Sequence, residues 1–230
     1  MKRIVVLTGA GVSADSGLKT FRDANGLWEG HDVMEVATPE GFARNPALVL
    51  EFYNQRRKQL LQVRPNAAHR ALVSLETKFK VDIITQNVDD LHERAGSKNV
   101  LHLHGELLKA RSTRTNSGSV PWSKDILLGD VCEKGYQMRP HIVWFGEAVP
   151  MMDKAIQITE QAEILIIIGT SMQVYPAAGL IDFVSREIPI YFIDPKPSIS
   201  EQRRKHLTII AKSATDGLPT LVDKLINENV

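Results

Sequence analysis

Six short runs of aliphatic and β-branched residues recur along the chain and set the expected fold. They lie at residues 3–8, 81–85, 100–104, 164–169, 188–193 and 207–211. Most of them are apolar at every position rather than at alternate positions, which is typical of parallel strands covered on both faces. The pattern therefore predicts a parallel sheet whose strands are buried.

Helical patterns separate these runs. Residues 45–63 begin with Asn45 followed by Pro46, and residues 66–79 begin with Asn66, so each stretch starts with a residue type that caps helix N-termini. Further helices are expected at 151–161, 176–185 and 217–228. The alternation of strands and helices predicts an α/β fold with an open, doubly wound sheet that binds ligands beyond the carboxyl ends of its strands.

One segment departs from this pattern. Residues 106–141 are polar and rich in turn-forming residues, although core-like sequence lies on both sides. We interpret this segment as a small inserted lobe. A length of 230 residues with 43% hydrophobic content fits one domain that carries such an insertion.

Composition excludes several classes of protein. The net charge of +1 gives no electrostatic reason to expect nucleic acid or an anionic membrane as a partner. The longest apolar run has strand length, and the N-terminus lacks a secretory signal, so we expect a cytoplasmic protein. A single cysteine, Cys132, excludes an internal disulfide and a cysteine-based zinc cluster.

A glycine-rich loop follows the first predicted strand. Gly9, Gly11 and Ala14 satisfy the pattern G-x-G-x-x-A, which allows the backbone and the next helix to approach a pyrophosphate. The alternative is an ordinary strand-to-helix turn. Dehydrogenases of this type carry a second strand and an acidic ribose ligand about 20 residues later. Here the next clear strand begins only at residue 81, so hydride transfer is disfavoured, and the long intervening loop is expected to clamp a ligand.

Two further stretches carry candidate chemistry. In LHLHG (101–105), His102 and His104 point to the same face of an extended segment, so they could be metal ligands, a catalytic base or polar decoration. A metal site is improbable because no third ligand lies nearby. In TQNVD (85–89), the alternative to a functional role is a helix start capped by Asn87, with Asp89 in the first turn.

Five motifs together resemble a known family. They are GAGVSADSGLKTFR (9–22), TQNVDDLH (85–92), LHLHG (101–105), RPHIVWFGE (139–147) and GTSMQVYPAAGL (169–180). In this order they look like the successive motifs of sirtuins, which are NAD-dependent protein lysine deacylases. The resemblance covers most of the chain and implies a Rossmann-like large lobe at about 1–30, 64–105 and 142–230. It also implies a small lobe at about 31–63 and 106–141.

The resemblance implies roles for particular residues. Sirtuins cleave the nicotinamide–ribose bond of NAD, and the acyl oxygen of the modified lysine attacks the ribose. Catalytic roles are implied for His104 as the general base and for Asn87 and Asp89, whereas His102 matches no family position and is interpreted as a neighbour on the same face. The cofactor-binding residues are expected to be Gly9, Ala10, Gly11, Ser13, Phe21, Arg22, Gln86, Asn87, Asp89, Gly169, Thr170, Ser171, Asp194 and Ala214.

The match is weaker at one cofactor position. Many sirtuins hold the adenosine with an asparagine-containing stretch, but this chain has Asp194 followed by Pro195 there. The carboxylate replaces an amide, and proline removes a backbone donor.

The implied partner is the acylated lysine side chain of a protein. The substrate is expected to lie as an extended strand between residues 145–150 and 171–176, with Val143, Phe145, Gly146 and Glu147 among its contacts. Hydrogen bonds to the main chain of a substrate depend little on its side chains, so we expect a broad choice of target proteins. We expect the protein to be a monomer.

The acyl group is suggested by residues outside these motifs. Tyr53 and Arg56 are three residues apart on a predicted helix, and Ala37 precedes them. Sirtuins that favour succinyl and malonyl groups show this Tyr-x-x-Arg pattern with a small alanine. A guanidinium and a phenol can bind a terminal carboxylate through charge-assisted hydrogen bonds. The alternative is an ordinary amphipathic helix with a basic face, to which Arg57 and Lys58 contribute.

The chain departs from the family pattern in the small lobe. Most sirtuins hold a structural zinc there with four cysteines, but this chain has Ser112 and Thr115 at the first pair and only Cys132 near the second. One thiolate cannot build a tetrahedral site, so the lobe is predicted to be free of metal. Two alternatives to a deacylase stay open, a protein ADP-ribosyltransferase and a binding module that holds NAD without turnover.

Overall fold

Two lobes make up the computed structural model, which describes residues 1–19, 27–28, 30–114, 118–199 and 205–228. The strands are β1 (Arg3–Thr8), β2 (Leu27–Trp28), β3 (His31–Asp32), β4 (Lys80–Thr85), β5 (Val100–His102), β6 (Gly105–Ser112), β7 (Ser119–Pro121), β8 (Met138–Ile142), β9 (Ile164–Ile168), β10 (Ile190–Ile193) and β11 (Leu207–Ile210). The α-helices are α1 (Gly11–Ala14), α2 (Val33–Val36), α3 (Pro39–Arg44), α4 (Pro46–Gln62), α5 (Ala67–Leu75), α6 (Leu91–Ala95), α7 (Met152–Thr159) and α8 (Ala214–Asn227). A 3₁₀ helix spans Ala177–Phe183.

The large lobe contains a parallel sheet in the order β11-β10-β9-β1-β4-β5. All six predicted strands are present, and all five neighbouring pairs are parallel. Helices α5 and α8 pack on one face, while α7 and the 3₁₀ helix pack on the other. Because both faces are covered, the central strands are aliphatic at almost every position. The predicted α/β fold with a doubly wound sheet is confirmed.

Helix starts follow the predicted caps. The Asn45 side chain accepts a hydrogen bond from the Leu48 amide, and the Asn66 side chain accepts from the amides of Ala68 and His69. Helix α8 begins at Ala214, earlier than predicted, because the Ser213 hydroxyl caps it. These bonds satisfy amides that have no partner within the first helical turn.

The predicted helix at 176–185 is a 3₁₀ helix rather than an α-helix. It follows Pro176, and its first bond joins the Gly179 amide to the Pro176 carbonyl across three residues. Glycine in this position gives little support to a regular α-helix.

The small lobe contains a three-stranded antiparallel sheet in the order β7-β6-β8. Its strands were not predicted, because charged residues and prolines interrupt their apolar pattern. The sheet packs with α4 around a second core that includes Val49, Phe52, Leu107 and Trp144. The predicted small lobe is confirmed, while its exact sequence boundaries stay a prediction.

A buried polar network ties α4 to the rest of this lobe. The Asn54 side chain donates to the Ile126 carbonyl at 3.0 Å and accepts from the Ile126 amide at 2.9 Å. Arg57 donates to the Leu107 carbonyl at 3.1 Å and to the Asn54 side chain at 2.8 Å. Arg57 is 1% exposed, so it does not form the basic surface that the helix sequence suggests.

Two absences concern the described residues alone. No group of three or more histidine, cysteine, aspartate or glutamate side chains within them could hold a metal ion. Cys132 instead lies 3.6 Å from the Ser112 hydroxyl, and Thr115 falls outside the described residues. A metal-free lobe stays a prediction. Among the helices of the described ranges, none is long and apolar enough to cross a membrane.

Candidate active site

A cavity of about 570 Å³ lies between the two lobes, beyond the carboxyl ends of β1, β4 and β9. Every predicted site residue in the described ranges lines it. For the cofactor and the chemistry these are Gly9, Ala10, Gly11, Ser13, Gln86, Asn87, Asp89, His104, Gly169, Thr170, Ser171, Asp194 and Ala214. For the substrate they are Ala37, Tyr53, Arg56, Val143, Phe145, Gly146 and Glu147. Phe21 and Arg22 lie outside the described residues.

The glycine loop locks against the end of β9. The Gly11 amide donates to the Gly169 carbonyl at 2.9 Å, and a Cβ on Gly11 would lie only 2.6 Å from the Gly169 Cα. Gly169 has a φ of 60°, a conformation that side chains disfavour. Helix α1 after the loop has only four residues. A pyrophosphate at this loop would therefore meet mainly loop backbone and hydroxyl groups.

Asn87 and Asp89 belong to one buried network with the loop. The Asn87 amide nitrogen donates to the Gly9 carbonyl at 3.1 Å and to the Ser13 hydroxyl oxygen at 3.3 Å. The Ser13 hydroxyl donates to the Asp89 carboxylate at 3.0 Å. Burial raises the pKa of Asp89 despite these bonds. The network fixes both side chains beside the glycine loop.

The alternative role of TQNVD as a helix cap applies only in part. Helix α6 begins at Leu91, and the Leu91 amide donates to the Asp89 carboxylate at 3.1 Å. Asn87 does not cap this helix, since its side chain faces Gly9 and Ser13.

Three successive carbonyls after β4 are held by residues 102–107, from the end of β5 into β6. His104 Nδ1 lies 3.1 Å from the Gln86 carbonyl, and His102 Nδ1 lies 3.0 Å from the Asn87 carbonyl. The Leu107 amide donates to the Val88 carbonyl at 2.8 Å. Each carbonyl can only accept, so both Nδ1 atoms carry hydrogen. These three bonds fix the backbone at residues 86, 87 and 88, next to Asp89.

His104 has the protonation state that a base requires. Its Nδ1 donates to the Gln86 carbonyl, so in the neutral ring Nε2 keeps its lone pair. Burial lowers the pKa of His104, which keeps the ring neutral at pH 7. His104 lines the cavity and can therefore accept a proton there.

His102 differs from His104 in the partner of its Nε2 atom. Its Nε2 lies 2.7 Å from the Glu93 carboxylate, so both ring nitrogens face acceptors and the ring must carry both protons. Burial alone would lower the pKa of His102, but the hydrogen bond and charge of Glu93 outweigh it and raise that pKa. Sequence reasoning treated His102 as a neighbour without a role, because Glu93 lies nine residues away on another element.

Tyr53 and Arg56 lie on the small-lobe side of the cavity. They are one turn apart on α4, and the Arg56 guanidinium lies over the Trp28 ring at 4.1 Å. The Tyr53 hydroxyl accepts a hydrogen bond from the Trp144 indole at 3.0 Å. Ala37 is buried and also lines the cavity. Trp28 and Trp144 both line the cavity and were missed in the sequence, where tryptophan indicates packing first.

Glu147 lines the cavity, but internal contacts engage its carboxylate. It accepts hydrogen bonds from Arg139 at 2.7 Å, from Arg111 at 3.0 Å and from the Trp144 amide at 2.8 Å. These partners hold the pKa of Glu147 below its usual value although burial opposes them. Its side chain therefore shapes the cavity wall, and its backbone amide is also engaged, since it donates to the Trp144 carbonyl at 3.0 Å.

Comparison with known proteins agrees with this geometry. The sequence model of the Sir2 family matches residues 9–176. An NAD-dependent protein deacylase of Helicobacter pylori is 56% identical over 226 residues, with 98% of each chain covered. A crystal structure of a Sir2 homolog–NAD complex has a TM-score of 0.89 and 38% identity, covering 100% of this chain and 91% of that one. A structure of Sir2 bound to acetylated peptide has a TM-score of 0.78 and 27% identity, covering 98% and 92%.

Proposed function

The chain belongs to the Sir2 family and is an NAD-dependent protein deacylase, and we propose that it acts on lysines carrying succinyl or malonyl groups in addition to acetyl-lysine. The placement of Tyr53 and Arg56 in the same cavity as the glycine loop and His104 is the observation that carries this proposal.

The residues at the carboxyl ends of β1, β4 and β9 fit NAD. When bound, NAD would supply the ribose that receives the acyl group, and with one water consumed the products would be the free lysine, nicotinamide and the O-acyl-ADP-ribose. The Ala10 backbone and the Thr170 hydroxyl line the cavity and are suited to a pyrophosphate, while Gly11 and Ser13 hold the loop in place through their bonds to Gly169 and Asp89. His104 Nε2 can take up a proton within the same cavity.

The proposed roles of Asn87 and Asp89 rest on their fixed positions. Asp89 is a buried carboxylate that can accept from an amide, and Asn87 offers a neutral amide beside the glycine loop. The remaining cofactor contacts that the resemblance implies, including those of Phe21, Arg22, Asp194 and Ala214, are proposed on the same basis.

The acyl preference follows from charge. A succinyl or malonyl group ends in a carboxylate, and Arg56 provides a guanidinium that can bind it with two charge-assisted hydrogen bonds. Tyr53 adds a hydroxyl one helical turn away. An acetyl group has no charged end, so it would gain nothing from either residue.

We propose that the substrate chain lies along residues 145–150 and 171–176. Phe145, Gly146 and Val149 line one side of the cavity, and Ser171, Val174 and Tyr175 also line it. Tyr175 is 71% exposed, so its ring is available to the residues that flank the modified lysine. Pairing through the main chain would bring only the acyl-lysine into the cavity.

Mass spectrometry of one peptide, prepared with succinyl-lysine or acetyl-lysine, tests the proposal with and without NAD. We expect loss of both groups that depends on NAD, with succinyl removed faster. Arg56→Met should lower desuccinylation at least tenfold more than deacetylation, because it removes only the partner of the carboxylate. Lys58→Met is the matched control, since this exposed cation lies on the same helix and pairs with Asp125.

Three outcomes would contradict the proposal in different ways. An equal loss of both activities in Arg56→Met would remove the carboxylate role but keep the deacylase. Transfer of ADP-ribose to the peptide without loss of acyl would indicate a transferase. Binding of NAD without turnover of either peptide would indicate a binding module.

A further inference from the structure

The Tyr53 hydroxyl accepts a hydrogen bond from Trp144, which lies two residues after the end of β8. The Trp144 indole nitrogen donates to it at 3.0 Å, across a separation of 91 residues. Tyr53 is 1% exposed and Trp144 is 3% exposed, so water does not compete for this bond. An indole N–H can only donate, and therefore the phenol oxygen must accept here.

The hydrogen bond from Trp144 limits which groups the Tyr53 hydroxyl can donate to. A phenol has one proton, and Trp144 offers no acceptor for it. Within the described part of the chain, the Tyr53 hydroxyl makes no hydrogen bond other than the one from Trp144. Burial raises the pKa of Tyr53, so the proton stays in place at neutral pH. The proton is left for an acceptor that enters the cavity.

Trp144 is itself held firmly. The Arg139 guanidinium lies 3.2 Å from the centre of the Trp144 ring, and the Phe42 ring packs against it with centroids 5.2 Å apart. Arg139 is paired with Glu147 at 2.7 Å, and Glu147 also accepts from the Trp144 amide. These contacts fix the direction of the indole N–H.

We propose that Trp144 is a specificity-determining residue that locks Tyr53 as a hydrogen-bond donor toward the acyl group. This inference rests on the proposed function, in which Tyr53 and Arg56 receive the carboxylate of the acyl chain. A hydroxyl that is free to rotate could equally accept from an amide or water. A hydroxyl whose oxygen is engaged by Trp144 favours acyl groups that end in an acceptor, and carboxylate is the strongest acceptor of that kind.

Kinetics of Trp144→Phe test the inference. Phenylalanine keeps an aromatic ring but removes the N–H, so the ratio of kcat/KM for succinyl-lysine to that for acetyl-lysine should fall about fivefold, the loss expected for one hydrogen bond between neutral groups. The change should appear mainly in KM for the succinyl peptide. Trp122→Phe is the matched control, since the Trp122 indole donates to the Asp125 carbonyl outside the cavity.

A double variant separates the hydrogen bond from the shape of the ring. If Trp144 acts through the Tyr53 proton, Trp144→Phe should lower the ratio no further once Tyr53→Phe has removed the hydroxyl. An unchanged ratio in Trp144→Phe, or the same loss with and without the Tyr53 hydroxyl, would overturn the inference. If Arg56→Met affected both peptides equally, the proposed function itself would fail, whatever the result at Trp144.

A spectroscopic measurement needs no change at Trp144. The tyrosine Fermi doublet in the Raman spectrum reports whether a phenol donates or accepts, and subtracting the spectrum of Tyr53→Phe isolates Tyr53. We expect an acceptor signature in the free protein and, with the succinyl peptide, the signature of a phenol that accepts from Trp144 and also donates. A donor signature already present in the free protein would contradict the locked arrangement.

Discussion

The two lobes of this protein differ in how much they depend on buried polar groups. In the large lobe, β1 and β9 lie side by side at the centre of the sheet, with aliphatic side chains buried on both faces. In the small lobe, a network of hydrogen bonds from Asn54 and Arg57 joins α4 to Ile126 and Leu107. Apolar burial has no directional requirement, whereas each buried polar group needs a placed partner. Substitutions in the large lobe should therefore cost stability in proportion to the apolar volume removed, whereas the loss of one network residue in the small lobe should leave several partners unsatisfied.

This difference matters for the cavity, because the lobes supply different parts of it. The large lobe contributes the glycine loop and Asp89, while α4 of the small lobe contributes Tyr53 and Arg56. Damage to the polar network should therefore affect recognition of the acyl group before it affects the cofactor side.

The largest effect is expected from Ile166→Ala in β9. Ile166 is fully buried at the centre of the sheet, so the substitution should lower the free energy of unfolding by about 3–4 kcal/mol through lost burial and a cavity. Urea denaturation measures this change. Leu127→Ala is the control, since Leu127 is 60% exposed and should change stability by about 0.5 kcal/mol or less.

A smaller loss of about 2–3 kcal/mol is expected from Asn54→Ala. The substitution leaves the amide and carbonyl of Ile126 and one Arg57 nitrogen without their partner. Hydrogen exchange should show faster exchange at the Ile126 amide and little change in β1. Gln55→Ala on the exposed face of α4 is the control, and equal protection of Ile126 in both variants would argue against the network.

The stability of the large lobe should depend on pH through two buried histidines. Burial lowers the pKa of His69 to about 4 and that of His92 well below its usual value, and both lie in the large lobe. An unfolded histidine has a pKa near 6.5, so below that pH the unfolded chain binds more protons. Stability should fall by about 1.4 kcal/mol per histidine for each pH unit between about pH 6.5 and 4.

The small lobe should show this dependence through His141 of β8, whose pKa burial also lowers, but not through its network of Asn54 and Arg57. Burial lowers the pKa of Arg57 only to about 10, so its guanidinium stays charged throughout this range. Urea midpoints between pH 4.5 and 7.5 measure the slope, and His69→Gln should reduce it. A slope that is identical in the variant and the wild type would show that His69 is not the group responsible.

The smallest effect is expected from removal of metal. Because the small lobe depends on Asn54 and Arg57, overnight treatment with a chelator should leave the midpoint of thermal unfolding unchanged within error. Elemental analysis that finds one tightly held zinc per chain would overturn this expectation.

The large lobe was the more predictable of the two from sequence. Runs such as Ile164–Ile168 are aliphatic at every position, so local sequence and tertiary burial agree and the parallel strands could be assigned. Strands β6, β7 and β8 escaped prediction because charged residues and prolines interrupt their apolar pattern, and because the pairing of β6 with β8 joins residues distant in sequence.

The site follows the same division. Residues within contiguous motifs, such as Gly11 and His104, could be assigned from their neighbours in sequence. The bond between Trp144 and Tyr53 could not, because it joins residues from separate elements. The contrast between His102 and His104 also depends on Glu93, which only the fold places beside one ring and not the other.

The three bonds that fix residues 86–88 make LHLHG sensitive to changes in length. His102 ends β5, His104 lies in the bend before β6, and their imidazoles hold the neighbouring carbonyls of Asn87 and Gln86. A single inserted or deleted residue would turn a leucine toward Gln86 and move an imidazole away from the cavity. Evolution can therefore replace side chains around these histidines one at a time, but an insertion or deletion here would have to arrive together with a compensating change in the segment they hold.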